Sequence, residues 1–81
     1  SKEVPLDENI IKMNLKEGRP IIASMRAGDF TTTNHIIVIT GVNESGMITV
    51  NDPNSIIRSE KEWVLQDIMG QVKNLWAYTE Y

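Results

Sequence analysis

The chain has 81 residues, enough for one small domain with a modest core. Its 8 basic and 11 acidic residues leave a net charge of −3, and the basic ones are scattered from Lys2 to Lys73. That distribution argues against a nucleic-acid or anionic-membrane surface, and the lack of cysteine excludes disulfides and thiolate metal sites.

The first predicted element is a short helix in PLDENIIKMNLKEGRP. Asp7 is placed to cap it, and Glu8 suits its first turn. Leu6 and Ile11 stand at the positions of a hydrophobic staple. Ile11 and Leu15 share a face, with Ile10 beside them. Gly18 can take the left-handed terminal position, and Pro20 forbids continuation. PIIASM then reads as a short apolar strand, and RAGDFTTTN as a polar loop near the rim of any site.

HIIVIT is apolar at both alternating phases, so a central strand buried on both faces is expected. GVNESG is a hairpin connection, and MITVN is the antiparallel return strand. DPNS is a second turn, and IIR a brief strand. SEKEWVLQDIMG reads as a second helix with a Ser59–Glu62 capping box and Gly70 at its end. NLWAYTEY is the last strand, with Leu75 alternating against Trp76 and Tyr78. The order helix, three strands, helix, strand predicts an α+β fold with an antiparallel sheet and flanking helices. Trp63, Trp76 and the four methionines are expected in the core.

The chemistry concentrates in the hairpin. His35 is the only histidine. A tight loop on Asn43 and Glu44 would put it directly opposite Asp52. A longer loop ending on Gly46 slides the register by two or three positions. Either way Asp52 ends near the start of the strand that carries His35. A carboxylate there can bond one imidazole nitrogen and leave the other free. The plainer reading is a lone histidine at a strand end beside an Asp that only forms a turn. Asp29, Glu44 and Asp52 are too dispersed for a carboxylate pair, one histidine with scattered acids makes no metal site, and AGDFTTTN is not a phosphate-binding loop. No cofactor is expected.

HIIVITGVNESGMITVNDPNS resembles the His-to-Asp segment of bacteriocin-processing, double-glycine-leader cysteine peptidases and their papain-like relatives. In that family a helix leads into a Gly-x-Pro-apolar strand, here LKEGRPIIASM. A histidine then opens a strand of the form His-apolar-apolar-Val-apolar-Thr-Gly. A hairpin returns to Asp-Pro, here VNDPNS, and a tryptophan segment follows, here KEW. The likeness runs from about Asp7 to Trp63.

The resemblance implies the sheet-bearing, C-terminal half of a papain-like cysteine peptidase domain spanning residues 1–81. It implies His35 as general base and Asp52 as its orienter. The family's nucleophilic cysteine and oxyanion-hole glutamine lie upstream and have no matching positions here. Asn34 stands where the family often has glycine. Peptides or proteins are the implied substrates, and the missing N-terminal half of the domain is the implied partner. A chain opening on Ser1 rather than Met reads as a fragment, silent alone and with an apolar face inclined to self-association. No signal peptide or apolar run of the ~20 residues needed to span a bilayer is present. The alternatives are a non-catalytic, peptide-binding module of the same fold and a small interaction domain with a fortuitous His–Asp pair.

Overall fold

The structure is a computed structural model that describes residues 2–28 and 35–78. The elements run β1 (Lys2–Val4), α1 (Glu8–Lys16), β2 (Ile21–Met25), β3 (His35–Val42), β4 (Met47–Asn51), α2 (Ile56–Glu60), β5 (Glu62–Val64), α3 (Leu65–Met69) and β6 (Val72–Ala77). The strands form one sheet in the order β1-β6-β2-β3-β4-β5, with every neighbouring pair antiparallel. This is the α+β architecture expected. Part of the loop RAGDFTTTN, residues 29–34, lies outside the described residues.

The first helix starts where a side chain can replace the missing intrahelical partners. Asp7 accepts hydrogen bonds from the Asn9 and Ile10 backbone N–H groups at 2.8 and 3.3 Å. Gly18 follows the helix with φ of +82°, a conformation only glycine adopts without strain. Ile11 and Leu15 are buried, as the spacing predicts, but Leu6 is 51% exposed and so contributes little as a staple. Asn14 is also buried, because its side chain donates to Ile10 O and accepts from Arg19 Nε.

One hydrophobic cluster joins the sheet to helices α1 and α3. Alternate residues of β2, β3 and β4 (Ile21, Ala23, Met25; Ile37, Ile39; Ile48, Val50) pack with Ile11 and Leu15 of α1 and Leu65 and Ile68 of α3. The helices thus cover one face of the sheet, and this corrects the expectation for HIIVIT. Ile37 and Ile39 are buried, Val38 is half-buried and Ile36 is 56% exposed. The opposite face carries Ile22, Ile36, Val38 and Trp76, which the cross-strand pairs Ile22↔Val38, Ser24↔Ile36 and Ile22↔Trp76 set side by side. Trp63 and Met25 are core residues as expected; Trp76, Met47 and Met69 are half-buried, and Met13 is 49% exposed.

The second predicted helix is not continuous. Ser55, not Ser59, is the N-cap, its Oγ accepting the Arg58 N–H at 3.0 Å. Residues expected as the strand IIR therefore form the first turn of α2. The helix stops at Lys61, whose backbone is extended, and Glu62–Val64 pairs with β4 as a strand. An aromatic and a β-branched residue in succession favour that choice. Leu65 and Ile68 then bury one side of the separate helix α3.

Candidate active site

The hairpin between β3 and β4 takes the longer of the two loops considered. Asn43 Oδ1 accepts the N–H groups of Ser45 and Met47 at 2.9 and 3.0 Å, and Gly46 completes the turn with φ of +82°. Val42 consequently pairs with Ile48, and Gly41 with Thr49. Beyond that point the register shifts, so that Ile39 pairs with Val50 and Val38 with Asn51. The irregularity is a bulge at Thr40, whose hydroxyl bonds Thr49 Oγ1 at 2.9 Å.

This bulge matters to the site. In a regular ladder continued from Val42↔Ile48, odd-numbered residues of β3 would share a face with odd-numbered residues of β4. Ile37 and Ile39 would then lie with Thr49 and Asn51. The extra residue at Thr40 changes the phase, so Ile37 and Ile39 lie with Ile48 and Val50 instead. It puts His35 and Asp52 on that same, core-facing side. Asp52 follows the last ladder residue, and Pro53 cannot continue the pairing.

The geometry is specific. Asp52 Oδ1 accepts from His35 Nε2 at 2.8 Å and from the Asn54 N–H at 2.9 Å. Its Oδ2 accepts from Arg58 Nε at 2.6 Å. The carboxylate has no solvent exposure, while the His35 side chain is 11% exposed and that of Arg58 is 28% exposed. The Asp52 backbone is held as well: its N–H donates to Ser59 Oγ at 2.8 Å, and Ser59 Oγ donates to Ser55 O at 2.9 Å. Burial works to raise the Asp52 pKa. The hydrogen bonds from Arg58, His35 and Asn54 outweigh it and hold the carboxyl below its ordinary value.

An ionised Asp52 accepts, so His35 carries its proton on Nε2 when neutral. Among the described residues the second nitrogen, Nδ1, has only a long contact to Asn54 Nδ2 at 3.4 Å. Its lone pair is available to take a proton. Beside the pair lies an open groove of about 850 Å³, lined by Asn51, Asp52, Pro53, Asn54, Ser55, Ile56, Ile57, Ser59 and Glu60. Ile56 and Ile57 are 76% and 81% exposed there.

The two residues singled out from the sequence are thus brought together. Arg58, Asn54 and Ser59 were not foreseen. Asn54 follows the Asx-turn pattern of Asp-Pro-Asn and could have been found there. Arg58 was hidden by reading IIR as a strand, since only a helix starting at Ser55 turns that guanidinium back to Asp52.

Residues 7–81 match the sequence model of the Peptidase_C39 like family. The chain belongs to that family. Its six-stranded antiparallel sheet with three helices among the described residues fits the papain-like fold, and it is a domain of peptidase type. A search of curated proteins found no match, and neither did a search of solved structures. Among the described residues no helix of this Peptidase_C39-like chain is long and apolar enough to cross a membrane.

Proposed function

We propose that this chain contributes the general base and its orienter to a papain-like cysteine peptidase that hydrolyses peptide bonds. His35 is the base and Asp52 holds it. In this reading residues 1–81 are the C-terminal half of the peptidase domain, and the nucleophilic thiol is carried on a segment outside these 81 residues. The observation that carries the reading is the division of labour on the imidazole. Nε2 is committed to a buried carboxylate at 2.8 Å, while among the described residues Nδ1 meets only Asn54 Nδ2, at 3.4 Å.

The chemistry follows from that arrangement. A thiol brought to Nδ1 gives up its proton, and the thiolate attacks the peptide carbonyl carbon. The imidazolium so formed is stabilised through Nε2–H by Asp52. It then protonates the leaving amine as the C–N bond breaks, giving a thioester. Water hydrolyses the thioester with His35 again as base. Substrates are peptides or proteins. The likeness of HIIVITGVNESGMITVNDPNS to bacterial leader-cleaving peptidases favours a leader-bearing peptide.

A second reading has its own support. The chain contains no cysteine, which suits a peptide-binding module of the same fold. One experiment separates the two. The chain is joined to a cysteine-bearing segment encoded next to it and tested on leader-type peptides. Thiol-dependent cleavage supports the peptidase. Saturable binding without cleavage supports the module.

A further inference from the structure

The Asp52 carboxylate is wholly buried, yet it faces only one titratable ring. A buried carboxylate with too few partners takes up a proton, and a carboxylic acid cannot impose a fixed tautomer on its neighbour. The groups that prevent this can be counted atom by atom. Oδ1 is shared by His35 Nε2 and the Asn54 N–H. Oδ2 has Arg58 Nε at 2.6 Å. Among the described residues the charged and titratable groups around Asp52 are therefore His35 from β3 and Arg58 from α2, with Glu60 of α2 on the adjoining groove. Of these, only Arg58 is cationic whatever the state of the imidazole.

We propose that Arg58 is a positioning residue of the His35–Asp52 pair, holding the carboxylate ionised and fixed while His35 is neutral and ready to accept a proton. The assignment rests on the reading of His35 as a base. The Arg58 guanidinium is bonded to the Asp52 carboxylate, and its role is exerted through Asp52. A guanidinium suits the task better than an ammonium, because its planar fork is directional and its charge does not titrate. It also offsets the charge of Asp52. Among the described residues, the hydrogen bond of the Arg58 side chain is the one to Asp52. The contacts that cap the helix and anchor Trp63 use the Arg58 backbone: its N–H donates to Ser55 Oγ, and its carbonyl accepts from Trp63 Nε1 at 3.1 Å.

The test is NMR of the 81-residue chain, in which His35 is the only histidine and its ring signals need no sorting. Arg58→Met, Arg58→Gln and Arg58→Lys are compared with the wild type. In Arg58→Met the Asp52 carboxyl titration moves up. The His35 Nε2–H also exchanges with water at least about tenfold faster, as loss of a charge-assisted hydrogen bond implies. Arg58→Lys restores the low carboxyl titration in part. Arg58→Gln carries the same test if Arg58→Met fails to fold. An unchanged Asp52 titration with unchanged Nε2–H exchange overturns the proposal. So does a variant that only melts earlier, since that is a purely structural role. None of these readouts uses peptidase activity, so the proposal on Arg58 and the proposal on function fail separately.

Discussion

Asp52→Asn changes one atom of the site and nothing of its shape, which makes its cost calculable. An amide has one acceptor where the carboxylate has two. With the oxygen at the Oδ1 position, His35 and the Asn54 N–H keep their bonds, and the amide NH2 faces Arg58 Nε, donor against donor. With the oxygen at the Oδ2 position, Arg58 keeps its bond. The NH2 then faces the Asn54 N–H, and His35 must move its proton to Nδ1 to accept. Each orientation strands at least one donor beside a group with no solvent exposure. A stranded buried donor costs about 1–3 kcal/mol. Arg58 is 28% exposed and can turn to water, which places the cost near the middle, about 2 kcal/mol. For a domain of this size that lowers the melting temperature by roughly 8–16 °C. Thermal unfolding followed by circular dichroism measures it. Melting within about 2 °C of the wild type would mean that the Asp52 hydrogen bonds add no net stability.

Acid should loosen the fold through the same residue. Because the folded pKa of Asp52 is depressed, its contribution is fully present above the unfolded value of about 3.9 and is lost as pH falls through the lower folded value. Asp52→Asn should remove that part of the acid transition, which unfolding curves across low pH would reveal. Ile37→Asp puts an unpaired charge in the core. It should prevent folding, because a total stability of about 4–12 kcal/mol cannot absorb it; a cooperative melt near the wild-type temperature would contradict the burial. Asp7→Ala should cost about 1 kcal/mol and loosen α1 without unfolding the domain, as amide exchange at Asn9 and Ile10 would report. The bare face carrying Ile22, Ile36, Val38 and Trp76 should drive self-association of the isolated chain, and a monomer in sedimentation at high concentration would count against it.

Local chemistry made α1 legible, though not the strand β1 before it. Asp7, Gly18 and Pro20 mark the ends of α1 through capping and backbone freedom, which depend on near neighbours alone. The His35–Asp52 contact was legible for a similar reason, since a short hairpin between them leaves few registers. What the sequence could not reveal depended on tertiary context. In HIIVIT the residues at both phases from Ile36 to Ile39 are apolar, and Thr40 alone is too little to mark the uncovered face, so Ile36 and Val38 looked as buried as Ile37 and Ile39. Ser59 fits a capping box with Glu62, but Ser55 won the cap because its hydroxyl meets the Arg58 N–H while Ser59 is drawn to Asp52. The bulge at Thr40 has no signature of its own. It is forced by the need to bury Ile37 and Ile39 with Ile48 and Val50, and it could be found only once the loop length was known.

The central claim is that His35 is the base of a thiol peptidase, and one measurement reaches it most directly. The chain, joined to a cysteine-bearing segment of the kind the proposal requires, is assayed for peptide cleavage with and without a thiol-blocking reagent, as wild type and as His35→Ala. The account predicts cleavage that the reagent abolishes and that falls to background in His35→Ala, while the 81-residue chain alone cleaves nothing. Cleavage that continues at the wild-type rate in His35→Ala would contradict it.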